Sequence, residues 1–348
     1  MGFVPGRSSQ TVLRDLLDRP IQDLRISVTD RCNFRCLYCM PLAEYDWIER
    51  SEILSYEEVE RLARIFVDLG VTKIRLTGGE PLVRRDLHDL VARLSSLPRI
   101  RDLCLTTNGA LLAGQVDALK QAGLRRINVS IDSLKPERFR AITQRGELGP
   151  VLEGLFAAKQ AGLGPIKINA VIERGVNDDE IIDLVEFARR HGFAMRFIEY
   201  MDVGNANQWR SEKLVPKTEI LDTIRRHYSF EELGRDQGSA PSVDYRFDDG
   251  AADIGVIASV SEPFCGTCTR ARLTADGRLV TCLFSDTGHD LKVLLRQGQT
   301  DARIAGFIRS VWSVRGDRYS EQRFEALHSS QGYRPADHRK IEMISLGG

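Results

Sequence analysis

Cys32, Cys36 and Cys39 stand in a CxxxCxxC pattern just after Asp30 and Arg31. Three thiolates can bind three irons of a 4Fe-4S cluster and leave the fourth without a protein ligand, and an open iron can take a small molecule directly. A structural zinc site is the alternative, but zinc wants four ligands and no histidine lies nearby in the sequence. Arg31 and Arg35 can offset the thiolate charge. A second set, Cys265, Cys268 and Cys282, runs CxxC and then thirteen intervening residues. A hairpin turning at Ala275, Asp276 and Gly277 brings Cys282 back beside Cys268. With His289 as a fourth donor this set suits zinc; without it, it again leaves a metal position open. Arg270 and Arg272 are two apart on one strand, so they share a face suited to a polyphosphate or a carboxylate, a solvated charged face being the alternative. Cys104, between Leu103 and Leu105, reads as a small buried hydrophobe.

These residues need a scaffold. From residue 24, short runs at 24–29, 73–77, 102–107, 126–132, 166–172 and 195–201 alternate with amphipathic stretches at 55–69, 85–97, 112–122, 150–161 and 178–191. Ser55 with Glu58 forms a capping box, and Gly70, Gly123, Gly162 and Gly192 sit just past helix ends. Six β-α units in succession predict a parallel sheet with right-handed crossovers. Within the strands one face is repeatedly polar: Arg25, Ser27 and Thr29; Lys73, Arg75 and Thr77; Arg126, Asn128, Ser130 and Asp132; Lys167 and Asn169. A sheet covered by helices on both sides is apolar on both faces. The expected fold is therefore α/β, an incomplete (β/α)6 TIM-like barrel with an open polar lumen and a smaller C-terminal α+β domain. The rhythm stops past about residue 205. The expected division is an N-terminal extension at 1–23, the barrel at 24–228, and a C-terminal domain at 229–348 that carries the second cysteine set. Beyond the barrel rhythm the sequence predicts helices at 216–227, near 290–296 and at 301–311, a strand at 253–260 and no periodicity over 329–348.

Lysine plus arginine equals aspartate plus glutamate, 49 each, so no global field draws nucleic acid or an anionic membrane. An anionic ligand needs a local basic pocket. No run of ~18 apolar residues exists and the start lacks a signal-peptide core; Gly6 stands where myristoylation wants Ser or Thr. The seven cysteines are an odd number in a chain with no export signal, so metal ligation is expected rather than disulfides. A soluble, cytoplasmic protein is expected.

Thr77, Gly78, Gly79, Glu80 and Pro81 close the second strand. The glycines permit close approach of a ligand to the backbone and Glu80 can accept from a ligand amine, a tight strand-to-helix turn being the plain alternative. CxxxCxxC after strand one with GGEP after strand two resembles the radical S-adenosylmethionine (SAM) enzymes. The resemblance implies that the amino and carboxylate groups of SAM chelate the open iron, and that an electron then cleaves SAM to a 5′-deoxyadenosyl radical that abstracts hydrogen from substrate. The second cysteine set narrows the resemblance to the GTP 3′,8-cyclase family of molybdenum cofactor biosynthesis. The similarity runs through 23–32, 74–82, 106–109, 128–134, 196–201 and 264–273 to Gly347 and Gly348, with Thr269 where the family usually has Asn.

That resemblance implies SAM contacts at Tyr38, Gly79, Ser130 and Met201. It implies GTP contacts at Arg25, Arg75, Thr106, Lys167, Arg270, Ala271 and Arg272. Catalytic roles fall to Arg270, Arg272, Gly347 and Gly348, the glycine tail reaching into the active site. Two [4Fe-4S] clusters would face each other across the lumen. Hydrogen would leave ribose C3′, C3′ would attack purine C8, and reduction would give (8S)-3′,8-cyclo-7,8-dihydroguanosine 5′-triphosphate. An electron donor such as flavodoxin or ferredoxin is implied, and a homodimer is compatible. Two rivals stand: a radical SAM enzyme with an auxiliary cluster acting on a peptide or another small molecule, and a non-enzymatic zinc protein.

Overall fold

The computed structural model describes residues 12–329 and 333–347. Residues 1–11 of the expected N-terminal extension, and Gly348, lie outside the described residues. The barrel elements follow in order as β1 (Asp23–Ser27), α1 (Tyr56–Leu69), β2 (Lys73–Thr77), α2 (Leu87–Ser95), β3 (Asp102–Thr107), α3 (Val116–Gln121) and β4 (Arg126–Ser130). Then come α4 (Pro136–Thr143), α5 (Leu148–Gln160), β5 (Ile166–Ile172), α6 (Ile181–His191), β6 (Ala194–Glu199) and α7 (Lys217–Arg225). Ser55 accepts from the Glu58 amide at 3.2 Å while Glu58 accepts from the Ser55 amide at 2.8 Å, the reciprocal cap expected of α1. Helix α2 starts later than the spacing predicts, because Asp86 adopts φ 54°, a left-handed conformation that cannot continue a helix from Arg85. Helix α4 escaped the periodicity, although Pro136 at its first turn is the preferred N-terminal proline.

Past α7 the chain forms β7 (Phe230–Gly234), β8 (Val243–Phe247), β9 (Asp253–Ile257), β10 (Arg270–Leu273), β11 (Arg278–Val280) and β12 (His289–Asp290). It ends with α8 (Lys292–Arg296), α9 (Asp301–Ser313), α10 (Tyr319–Leu327) and a single turn, α11 (Met343–Leu346). The last falls where the sequence carries no periodicity. Among the described residues the twelve strands make one sheet in the order β12-β11-β10-β1-β2-β3-β4-β5-β6-β9-β8-β7. The six barrel strands are consecutive and parallel, and the C-terminal region adds strands to both of their edges. Strand β10 runs parallel to β1, and β9 parallel to β6.

The alternation seen in the sequence is real in space. Leu24, Ile26, Ile74, Leu76, Ile127, Val129, Ile166 and Ile168 are buried in the core with residues of the surrounding helices. Each such side chain contributes about 1.5–3 kcal/mol by leaving water. Along β5, fully buried residues alternate with half-buried Lys167, Asn169 and Val171. The opposite face points into the lumen.

Candidate active site

Side chains alternate along a strand, so register decides which lumen residues become neighbours. Pairing of β1 with β2 sets Arg25 beside Arg75, and pairing of β1 with β10 sets Arg272 on the other side of Arg25. Adjacent strands are about 4.8 Å apart, so three guanidinium groups rise from one level. Among the described residues Arg25, Arg75, Arg270 and Arg272 make no salt bridge, and Nε of Arg25 and of Arg75 has no hydrogen-bond partner. Burial, then repulsion from Arg272, Arg75 and Arg270, holds Arg25 well below the ordinary guanidinium value. Burial and Arg270 bring Arg272 down to about 10. Such a cluster is costly unless an anion enters it.

A central cavity of about 920 Å³ is lined by Arg25, Tyr38, Thr106, Ser130, Met201, Arg270 and Arg272, seven residues expected from the sequence at the SAM and GTP sites. An adjoining cavity of about 680 Å³, sharing Pro241 with the first, is lined by Lys73, Arg75, Arg126, Lys167 and Arg196. Its carboxylates are Asp23, Asp102, Asp236 and Asp244. Asp102 pairs with Arg126 at 3.2 Å, and the other pairs are looser: Lys73 with Asp236 at 3.7 Å, Lys167 with Asp244 at 3.8 Å, and Arg196 with Asp244 at 3.5 Å. Burial, with Arg196 adding to it, brings Lys167 down to about 8. Lys73, Arg126 and Arg196 extend the predicted cation set. The strand alternation already placed the first two on the polar face, and Arg196 follows the same rule on β6.

The first cysteine triad lies in the loop after β1. Its amides shape it locally: Phe34 N–H approaches the Cys32 sulfur at 3.4 Å, and Cys39 N–H donates to the Cys36 carbonyl at 3.0 Å. Arg35 donates to the carbonyls of Cys32 and Phe34, so it braces the loop as well as bringing charge. Burial pushes the Cys32 thiol up to about 11 and that of Cys39 up to about 12. Tyr38 donates to Asp132 at 2.8 Å, while Asp132 also accepts from the Val171 amide at 2.8 Å; burial raises this carboxyl to about 6. Gly79 does not line the central cavity. Its N–H donates to the Thr29 carbonyl at 2.7 Å, and a Cβ there would collide with the Asp30 carbonyl oxygen at 2.7 Å, so glycine is needed to pack the GGEP turn on the cysteine loop. Glu80 corrects an expectation. Its oxygens accept from Leu82 N–H, Thr107 Oγ1 and Asn108 N–H in a buried site, so the carboxylate latches β2 to β3 instead of waiting for a ligand amine.

The second triad rims a cavity of about 500 Å³ together with Phe264, Arg270, Arg272, Phe284 and Arg315. Arg270 donates to the Cys268 sulfur through Nε at 3.2 Å and Nη2 at 3.1 Å. Burial pushes Cys268 up, but Arg270 and then Arg315 outweigh it and bring the thiol down to about 6. Cys282 has no such donor, and burial takes it up to about 12. His289, the donor a zinc site would recruit, does not line this space; it sits on β12 with its ring 6.4 Å from that of Phe307. Asp317 lines it but pairs with Arg315 at 3.1 Å. The second triad thus presents three thiols around a space that no further cysteine or histidine among the described residues lines, and the first sets three thiols within one loop; both donor sets suit an iron-sulfur cluster with one open iron.

Supports for the second triad come from places the sequence did not flag. Arg19 donates to the carbonyls of Cys265 and Asp317 at 2.8 Å each, and Arg315 donates to the Cys268 carbonyl at 2.9 Å. Both cations pair with buried Asp15. Asp202, just past β6, is fully buried and bonded to Arg323, Lys340, Tyr319 and Tyr333, tying the barrel rim to α10 and the tail. The tail then enters the lumen. The Gly347 carbonyl accepts from Arg272 at 3.4 Å; φ there is 70°, and a Cβ would clash with Thr77 and lie 2.9 Å from the Gly78 nitrogen. The Ala271 methyl faces away, into the core beside Leu24, so only its backbone borders the lumen. Thr269 borders the second cavity, and its carbonyl accepts from the amides of Gln22 and Asp23.

Comparison with known proteins gives this geometry a class and then a family. Residues 26–188 match the Radical SAM superfamily, and 193–321 match Molybdenum Cofactor Synthesis C. The solved structure of Streptococcus suis SuiB bound to S-adenosylmethionine shares the fold, with a TM-score of 0.60 at 17% identity over 84% of this chain and 68% of that one. Among curated relatives, the GTP 3′,8-cyclase of Acidothermus cellulolyticus is 48% identical over 97% of this chain and 99% of its own. That of Xanthomonas axonopodis is 47% identical with the same coverage, and that of Aquifex aeolicus 45% over 97% of this chain and all of its own. The chain belongs to the GTP 3′,8-cyclase family of radical SAM enzymes.

Proposed function

We propose that this protein converts GTP to (8S)-3′,8-cyclo-7,8-dihydroguanosine 5′-triphosphate, the first step of molybdenum cofactor biosynthesis. The observation that carries the proposal is the row Arg75, Arg25, Arg272, three cations on adjacent strands that make no salt bridge among the described residues, with Arg272 also bordering the cavity that the second cysteine triad rims. Cys32, Cys36 and Cys39 would hold one [4Fe-4S] cluster and Cys265, Cys268 and Cys282 a second. With SAM bound, the first cluster supplies hydrogen abstraction by a carbon radical. Tyr38, Ser130 and Met201 would bound the SAM pocket, with the Gly79 turn setting the cysteine loop. The cations of the second cavity, Arg75 and Lys167 among them, would hold the triphosphate through charge-assisted hydrogen bonds. Arg270 and Arg272 would hold the nucleotide at the second triad, and the Gly347 carbonyl would fix the Arg272 guanidinium. The lumen excludes water from the reacting carbon. On the division at 24–228 and 229–348, the first part would hold the radical-generating cluster and the triphosphate cations, and the second part the cluster beside Arg270 and Arg272. Among the described residues no helix is long and apolar enough to cross a membrane.

Anaerobic incubation of the reduced protein with GTP and SAM tests this. Stoichiometric 5′-deoxyadenosine with loss of GTP to a cyclised triphosphate is expected. Release of 5′-deoxyadenosine with GTP unchanged would refute the cyclase assignment while leaving SAM chemistry in place.

A further inference from the structure

Outside the lumen, a groove of about 1400 Å³ opens beside the first cysteine loop. Four arginines line it, Arg31, Arg50, Arg84 and Arg85, and no Asp or Glu does. Arg31 directly precedes Cys32 in the chain. Arg84 is held rigid: it donates to the carbonyls of Val28 and Leu54 at 2.7 Å each, and its guanidinium lies 4.2 Å over the Tyr56 ring. Arg31, Arg50 and Arg85 are exposed. Of the nearby acids, Glu52 pairs with Lys292, Glu57 with Arg93 and Glu58 with Arg296, while exposed Glu49 and Asp86 flank Arg50 and Arg85 in the chain without lining the groove. In a chain with no net charge, the groove lining thus carries four cations and no acid beside a loop whose three cysteine residues are half-buried. Exposed apolar groups accompany it, Val83 in the groove and Leu37 between Cys36 and Tyr38.

A cluster in this loop must receive its electron from outside, and electron transfer falls steeply with distance. We propose that the groove is the docking surface for an acidic one-electron carrier protein that reduces the cluster held by Cys32, Cys36 and Cys39. The inference rests on the cyclase reading and names its electron-supplying partner. One electron leaves the carrier and enters the cluster; no atom is transferred. A protein fits better than a small anion because the groove combines exposed arginines with apolar side chains, the mixture found at protein interfaces.

The test compares wild type with the double variant Arg50→Glu/Arg85→Glu, as anaerobic holoenzyme, supplied with electrons either by dithionite or by a flavodoxin reduced with NADPH and its reductase. Binding of the flavodoxin is measured separately at low and high salt. The expected result is wild-type turnover with dithionite, a loss of about tenfold or more in the rate with limiting flavodoxin, and weakened, less salt-sensitive binding. Arg50→Lys/Arg85→Lys should restore most of both. Equal turnover of wild type and variant with flavodoxin would overturn the proposal, as would equal losses with both reductants. Saturable binding of inorganic phosphate at the groove with flavodoxin binding unchanged would replace the carrier by a small anion. Failure of wild type to consume GTP with dithionite would instead sink the cyclase reading itself.

Discussion

The two cysteine triads use the same three thiols in opposite ways. Cys32, Cys36 and Cys39 lie within one loop that its own amides and Arg35 shape, and burial raises all three thiols. Cys265, Cys268 and Cys282 are joined by a hairpin and held from a distance by Arg19 and Arg315. There Arg270 donates to the Cys268 sulfur directly and brings that thiol down to about 6. The first triad is a self-contained local motif beside an open surface. The second lies among Arg270, Arg272 and Arg315, two of which also line the central cavity, so whatever it holds shares those cations with any anion that enters there. On the proposed function, generating a radical needs only the loop and its electron supply, whereas choosing a substrate needs the assembled sheet.

The largest effect should come from breaking one triad at a time. Cys36→Ala should lose about half the iron and all 5′-deoxyadenosine formation. Cys282→Ala should also lose about half the iron yet keep SAM cleavage, now uncoupled from GTP consumption. If both variants lost SAM cleavage equally, the division of labour would be wrong.

Next is Asp202→Ala, which strands buried Arg323 and Lys340 and should cost about 3–5 kcal/mol, read as a fall in Tm. Burial alone would raise this carboxyl, but Arg323 and Lys340 outweigh it and hold it below its ordinary value. Its stabilisation is therefore complete above the unfolded value of about 3.9 and is lost as pH falls through the lower folded one. Wild type should lose stability below about pH 4 in a way that Asp202→Asn does not.

Smaller still is Arg272→Ala. Loss of one charged hydrogen-bond donor, worth about 1.5–3 kcal/mol, should raise the KM for GTP by about ten- to a hundredfold. SAM binding, proposed at Tyr38, Ser130 and Met201, should hold. Steady-state kinetics with GTP varied checks the first and calorimetric titration with SAM the second; a parallel loss of SAM affinity would merge the two regions into one.

Local spacing and period-two alternation made much of this legible. The cap of α1, the six barrel strands, the CxxxCxxC loop and the polar faces carrying Arg25, Arg75, Ser130 and Lys167 depend on residues a few positions apart. The same logic reached Arg270 and Arg272 and their hairpin. It missed α4, because its single apolar stripe is short, and misjudged Glu80, because only folding shows that Thr107 and Asn108 claim its oxygens.

The sequence by itself determined which residues can ligate metal, which strand faces are polar, and where most barrel elements lie, since all of these follow from backbone geometry repeated locally. Tertiary structure alone decided that β10 lies parallel to β1, about 245 residues earlier in the chain, and so that Arg272 stands beside Arg25. It also decided that Asp15 and Arg19 brace the second triad, that Asp202 anchors the tail, and that Gly347 reaches Arg272. These pairings join segments with no shared periodicity. Their partners are selected by burial and charge once the sheet has formed.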